Sequence, residues 1–358
     1  MAVPPRRIVL AIAAARRRLR LSADAVLPPE MVLFDLTMGL PVTQVTATFA
    51  ELGIADVLGR DRLPTADLAI KIEADPAALH RLMRAGAACG LCTIDRRGKA
   101  KLTRLGRVLA RDHPSSMRDW AIHMGYRSTS DAWADLTESV RSGASAFPRV
   151  HGMSVWQWFA EHPEEGRTFA GAMHRTTEFD SEAIAKAYDW PRGGAVCDVA
   201  GGIGALLAPI LEERRDLRGV LVDGPDVLGE AERFLAARGL TDRITRVEGD
   251  MFEAIHTTAD VFLLKDVLHD WDDARCARIL ASVAATMRPG DRLVLVELVQ
   301  EPNEPHPLAP LVDLQMLTQT DGGRQRTLGE LNALLRGAGL APSAVTRTMV
   351  HSLVEAIR

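Results

Sequence analysis

The hydrophobic pattern of this chain changes character near residue 191. Beyond it, short apolar runs alternate with stretches of helical periodicity. Ala195–Ala200, Arg218–Val222, Ile244–Val247, Val261–Lys265 and Arg292–Leu298 read as strands. Gly204–Glu213, Asp226–Arg238, Asp272–Met287 and Leu328–Gly337 read as helices, and Ala344–Thr348 with Ser352–Ile357 as a closing strand pair. Strands that are apolar throughout and alternate with helices predict an α/β fold with a mainly parallel sheet covered on both faces.

Before residue 191 the pattern is helical. Val32–Leu58 has helical spacing with an interruption near Gly39–Pro41. Pro64–Ile72 and Ala77–Ala88 follow as two helices, then Leu91–Ile94 and Lys101–Thr103 as short strands around a turn at Asp95–Lys99. That order is a winged-helix pattern. A DNA-binding role would fall on His80, Arg81 and Arg84, but the flanks are not basic, which favours a packing or dimerisation module. Trp120–Val140 and Val155–Tyr188 read as further helices rich in large apolar side chains. The expected divisions are an N-terminal arm at 1–27, a winged-helix-like domain at 28–115, a helical connection at 116–190 and a catalytic domain at 191–358. In the arm, the apolar run Ile8–Ala15 is short and is followed by Arg16–Arg18, which argues for an amphipathic helix or a disordered arm over a signal peptide.

Composition narrows the function classes. The chain has 358 residues and a net charge of −4, so it lacks the basic field that nucleic acid requires. Four cysteines are too few for a disulfide framework and fit a reducing, cytoplasmic setting. No apolar run reaches the roughly 20 residues that span a bilayer. Cys89 and Cys92 form a lone C-x-x-C without a second pair, and no other cluster has metal-ligand spacing, so no metal site is expected.

The chemistry gathers at the predicted strand ends. Asp198-Val199-Ala200-Gly201-Gly202-Ile203-Gly204 follows a strand and opens a helix. Glycines there admit close approach of a ligand, and a helix N-terminus favours a negative group. Asp223 lies 19 residues past Gly204 at the end of the second strand, where an acid can accept from both ribose hydroxyls. These features fit a nicotinamide dinucleotide or S-adenosylmethionine equally. Gly249-Asp250-Met251-Phe252 separates the two: Asp250 suits the exocyclic amine of an adenine, and Met251 and Phe252 its face. Lys265-Asp266-Val267-Leu268-His269-Asp270-Trp271 then follows the fourth strand. Open α/β sheets bind ligands at these carboxyl ends.

On these residues the chain resembles the small-molecule O-methyltransferases, a family with plant caffeate and flavonoid, animal hydroxyindole, and bacterial anthracycline and phenazine members. The resemblance runs from about Val32 to the C-terminus. Its most specific part is Leu264-Lys265 through His269-Asp270-Trp271 with Asp273, followed by Arg288-Pro289-Gly290. Phe169-Ala170-Gly171-Ala172-Met173 and Gly322-Gly323-Arg324-Gln325-Arg326-Thr327 match as well. It implies a class I methyltransferase domain of Rossmann-like type, preceded by a helical winged-helix-like dimerisation domain, and a homodimer. The implied cofactor is S-adenosylmethionine and the implied acceptor a small aromatic molecule, with no nucleic acid or membrane partner. Asp223 would hold the ribose, Asp250 and Met251 the adenine, and Lys265 would also touch the cofactor. His269 would be the general base, supported by Glu297, with Phe169, Met173 and Met316 lining the acceptor pocket. Two positions depart from the family. Ala200 stands where a glycine is usual, which reads as a small change. Gln325 replaces a glutamate that brackets the histidine, though an amide can still accept a hydrogen bond.

Methyl transfer explains why a histidine belongs at that turn. The methyl on a sulfonium is already activated, so alignment is the main task, and orientation supplies about 7–11 kcal/mol. A phenol near pKa 10 facing a histidine near 6.5 leaves an uphill gap of roughly 5 kcal/mol, which a carboxylate partner would narrow. Two other readings stand beside this one. One is a relative that has shifted to another reaction, such as hydroxylation, while keeping the cofactor. The other is a DNA-binding regulator built on Pro64–Thr103.

Overall fold

The structure is a computed structural model and describes residues 6–302 and 308–358, so the first five residues of the expected arm lie outside the described residues. The first half of the chain runs α1 (Arg6–Asp24), α2 (Pro29–Thr37), α3 (Gly39–Glu51), α4 (Ile54–Leu58), β1 (Leu63–Pro64), α5 (Thr65–Lys71), α6 (Pro76–Ala88), β2 (Cys92–Ile94) and β3 (Lys99–Leu102). A run of helices follows: α7 (Arg118–Gly125), α8 (Arg127–Ala134), α9 (Leu136–Ser142), α10 (Ala146–His151), α11 (Val155–Glu161), α12 (Pro163–Glu178) and α13 (Ser181–Ala187). The second half alternates: β4 (Ala195–Val199), α14 (Leu207–Glu213), β5 (Arg218–Asp223), α15 (Pro225–Ala237), β6 (Ile244–Glu248), β7 (Val261–Lys265), α16 (Asp273–Thr286) and β8 (Arg292–Glu297). It closes with α17 (Ala309–Gln319), α18 (Leu328–Gly337), β9 (Ala341–Arg347) and β10 (Ser352–Ile357).

These elements fall into two units. One comprises Ala15–Asp131 and Trp156–Arg175; the other comprises Ala132–Val155 and Thr176–Arg358, with the helical residues up to Ala14. The segment 116–190 is therefore not a single connection. Its stretches belong alternately to the two units, a division that local periodicity does not register.

In the helical unit, β1, β3 and β2 make a small antiparallel sheet in that order, beside α5 and α6. The winged-helix order is present, with Leu63–Pro64 as an extra strand. Phe49, Ile54, Leu68, Met83 and Ala100 are fully buried in its core. The expected break near Gly39–Pro41 comes at Met38, and Pro41 lies in the first turn of α3. A proline is tolerated there because its missing N–H has no intrahelical partner anyway. The long helix expected over Val155–Tyr188 is three helices, with Pro163 starting the second and Asp180 preceding the third.

The other unit holds a seven-stranded sheet in the order β6-β5-β4-β7-β8-β10-β9. The first five strands are parallel, while β10 and β9 run antiparallel to their neighbours. Val261–Leu264 and Leu293–Val296 are fully buried, as their unbroken apolar runs require of strands covered on both faces. Successive strands step outward from β4 in opposite directions, so β4 and β7 flank the switch point where such sheets bind ligands.

Candidate active site

The chain leaves β4 through a loop that only small residues can form. Gly202 and Gly204 have φ of +61° and +85°, and a Cβ at Gly201 would lie 2.6 Å from both the Asp198 carboxyl carbon and a Leu221 methyl. These turns delay α14 to Leu207, past the expected Gly204. Ala200 also has positive φ, +55°. Its departure from glycine is thus a matter of conformation and not of one methyl's volume: a non-glycine residue costs about 1–2 kcal/mol there.

Two carboxylates face this loop. Asp223, at the end of β5, accepts hydrogen bonds from the N–H groups of Gly202 and Gly224, both at 2.8 Å. Its orientation is set, and each oxygen keeps a lone pair for a further donor. Burial pushes its pKa up against these bonds. Asp198, on β4, is 1% exposed, and neither of its oxygens has a partner among the described residues. Burial pushes its pKa up to about 7, opposed by Lys265 and reinforced by Asp223. A carboxylate in that setting lacks a cationic donor.

After β6, Asp250 is exposed and accepts the Phe252 N–H at 2.9 Å, which shapes a tight turn. Met251 and Phe252 are half-buried. The Phe252 ring meets Trp271 edge-on at 4.9 Å, and the Arg278 guanidinium lies over it at 5.2 Å. Phe252 is thus already engaged, which leaves Met251 the less committed of the two apolar side chains.

The end of β7 carries the densest group of charges. His269 lies in the 3-10 turn Leu268–Asp270, and its Nδ1 is 3.2 Å from Glu297 Oε2 at the end of β8. The other Glu297 oxygen accepts the Leu268 N–H at 2.9 Å, which fixes the turn, while Nδ1 faces the carboxylate at ion-pair distance and makes no hydrogen bond among the described residues. Arg326 ties the turn from behind by donating to the Leu268 and Trp271 carbonyls. Asp270 lies 3.5 Å from His269 Nε2, and Asp266 lies 3.8 Å from Nδ1. Burial alone would lower the pKa of His269, but Asp270, Glu297 and Asp266 outweigh it and push the ring up to about 10. Burial also raises Asp270. Lys265 is buried with its ammonium against Asp266. Asp266, His269 and Glu297 bring their donor atoms within 4.8 Å of one another. Asp266 is held by Lys265 and His351, and one Glu297 oxygen by the Leu268 N–H.

The structure thus brings His269, Glu297 and Lys265 together, with Asp198 and Asp223 at the neighbouring strand ends. Gln325 is different. Its N–H donates to Asp313 at 2.7 Å, but its side-chain amide, 6% exposed, has no partner and makes no hydrogen bond with His269 among the described residues. Met316 is buried on α17. Phe169 and Met173 belong to α12 in the helical unit, where Phe169 stacks on Phe159 at 4.8 Å and meets His123 edge-on at 5.3 Å. Asp266, Asp270, Asp180 and His351 escaped the sequence reading as functional residues. The first two stand inside the motif and could have been weighed by proximity to His269. Asp180 and His351 are far from it in sequence and carry no local signal.

Comparison with known proteins accounts for this arrangement. Residues 133–341 match the O-methyltransferase domain and residues 34–112 the O-methyltransferase dimerisation domain. The chain is 35% identical to a phenazine O-methyltransferase of Lysobacter antibioticus, over 92% of this chain and 96% of that protein. It is 36% identical to an aclacinomycin 10-hydroxylase of Streptomyces purpurascens, over 82% and 79%. The crystal structure of human N-acetylserotonin methyltransferase in complex with S-adenosylmethionine superposes with a TM-score of 0.83 at 26% identity, covering 92% of this chain and 98% of that one. Two domain matches along the chain, relatives aligned over most of its length and a seven-stranded, mainly parallel sheet lead to one conclusion: this chain belongs to the S-adenosylmethionine-dependent O-methyltransferases.

Proposed function

We propose that this enzyme methylates a hydroxyl of a small aromatic, phenolic acceptor and that His269 is its general base. The observation that carries this reading is the Glu297–His269 pair at 3.2 Å at the end of β8, with the ring raised to about 10. The carboxylates beside the ring raise its basicity and so narrow the uphill gap that a free histidine faces toward a phenol near pKa 10.

The cofactor fits the residues present. The unpartnered, buried Asp198 carboxylate suits the ammonium of its amino-acid part, and Asp223, already fixed by two backbone N–H groups, suits the ribose hydroxyls. Asp250 and Met251 would take the adenine, and Gly201 and Gly202 leave room for the chain's close approach. Bound there, the cofactor supplies an activated methyl on a sulfonium. The protein's own part is to hold the acceptor oxygen and take its proton. Glu297 keeps the proton of His269 on Nδ1, which leaves Nε2 as the basic nitrogen. Buried carboxylates then stabilise the imidazolium that forms. The Gln325 amide, with both donor and acceptor unused, is available to a polar group of the acceptor.

The test is His269→Ala. Turnover should fall by about 10²–10⁴-fold with cofactor affinity nearly unchanged, as read by steady-state rates and isothermal titration. Full activity in a folded variant would sink the assignment. The hydroxylase relative keeps a second outcome in view, a product that gains oxygen instead of a methyl group, and mass spectrometry of the product separates the two.

We also propose a homodimer. Leu33, Phe34, Leu36 and Leu40 on α2 and α3 are each about 60% exposed, and the dimerisation-domain match begins at residue 34. An apolar face of this kind marks an interaction site. Light scattering at micromolar concentration should give twice the chain mass, and a monomer would contradict it.

A further inference from the structure

Behind His269 lies a second buried chain of acids and a base. His351 immediately precedes β10, next to Ser352, whose partner across the β8–β10 ladder is Glu297. The ring is 6% exposed and has a carboxylate on each nitrogen: Asp180 Oδ2 is 3.1 Å from Nδ1, and Asp266 Oδ1 is 3.0 Å from Nε2. A neutral imidazole offers one donor and one acceptor, so two carboxylate partners call for the imidazolium. Burial and Lys265 would lower the pKa of His351, but Asp266 and Asp180 together hold it above the ordinary value.

Both acids are themselves held. Asp180 precedes α13 yet does not cap it. Its carboxylate accepts instead from the Thr348 hydroxyl and from the His351 N–H at 3.2 Å, which ties down the β9–β10 turn. Asp266 has φ +52°, in the left-handed region, where a non-glycine residue persists only if its surroundings over-determine it. Its N–H donates to the Val296 carbonyl at 3.0 Å, and its carboxylate is shared by His351 and Lys265.

Asp266 and Glu297 both face His269 Nδ1, at 3.8 Å and 3.2 Å, and neither accepts a hydrogen bond from it among the described residues. We propose that His351, held as a cation between Asp180 and Asp266, is a positioning residue for the reaction: it satisfies Asp266, so that His269 gives its Nδ1–H to Glu297 and keeps Nε2 as the base. The proposal rests on the reading of His269 as the base. The charged groups that face His351 are Asp180 ahead of α13 and Lys265 and Asp266 at the end of β7. His269 and Glu297 lie one step beyond, with Asp270 facing His269 Nε2 at 3.5 Å.

The sign of the effect follows. Activity rises with pH as His269 loses its proton. Removing the His351 cation leaves Asp266 to stabilise the protonated His269, so the rising limb should move to higher pH. For His351→Gln we expect kcat to fall by about tenfold and the limb to rise by roughly 0.5–1 pH unit, with KM for S-adenosylmethionine changing less than about twofold. Asp180→Asn, which keeps an acceptor for Thr348 but weakens the cation, should move the limb in the same direction by less. It also serves if His351→Gln fails to fold. A purely structural residue would lower the folded fraction and leave the limb of the folded enzyme in place. An unmoved limb, with kcat per folded enzyme within twofold of wild type in either variant, overturns the proposal. Imidazole ¹⁵N NMR of the wild-type enzyme separates this from failure of the base reading. A doubly protonated His351 at pH 8 beside a fully active His269→Ala would reject the base and not the clamp, whereas a neutral His351 would reject the clamp itself.

Discussion

Two buried histidines in this chain sit in opposite electrostatic worlds. His123, on α7 of the helical unit, is 4% exposed and lies among the rings of Trp120, Phe159 and Phe169. Burial pushes its pKa down to about 4, and Glu165 offsets that only in part. The His269 side chain is 12% exposed, yet Asp270, Glu297 and Asp266 carry it to about 10. Desolvation acts on both rings in the same direction. What differs is the supply of negative charge within a few ångströms, and that supply comes from strand ends converging on one sheet edge. The aromatic helices around His123 offer only Glu165. Burial therefore leaves the ring neutral in one unit, while carboxylates overcome it and raise the ring in the other.

The comparison can be broken at its charged end first. Glu297→Gln moves His269 one step toward the condition of His123, since it removes the nearest anion. The rising limb of the kcat profile should fall to lower pH, because the protonated ring loses a stabilising charge. Turnover at its plateau should drop on the order of 10²-fold, because the base is weaker and its orientation looser. Stopped-flow or steady-state rates from about pH 6 to 11 check both. An unchanged limb would mean that Glu297 is not what raises the ring.

A smaller effect tests the neutral end. The folded pKa of His123 lies below the unfolded value near 6.5, so the unfolded chain takes up the proton first as pH falls. Stability should be intact above pH 6.5 and lost progressively down to about pH 4, by about 3 kcal/mol in all. His123→Phe should lack this loss. Urea unfolding of the two proteins at pH 7.5 and 4.5, followed by tryptophan fluorescence, should show their stability difference changing by nearly that amount. Parallel losses in both would remove His123 as a source of acid sensitivity.

Much of this protein could be read without coordinates. The alternation after residue 191 determined the α/β class, because a strand covered on both faces must be apolar throughout, and each of the five runs became a parallel strand. The Asp198–Gly204 loop and the strand-end positions of Asp223 and His269 were legible because turns at the carboxyl ends of strands demand particular residue types at short spacing. Other features were decided only by the tertiary structure. The helical stretch 116–190 divides between two units, since packing partners far along the chain and not local periodicity allot each helix. Ala200 and Asp266 adopt left-handed backbone that no side-chain pattern reveals. The upward shifts of His269 and His351 depend on carboxylates that come from residues 180, 266, 270 and 297. Sequence lists those charges, but Coulomb energy depends on distance, and only the folded sheet brings them within 4 Å of the two rings.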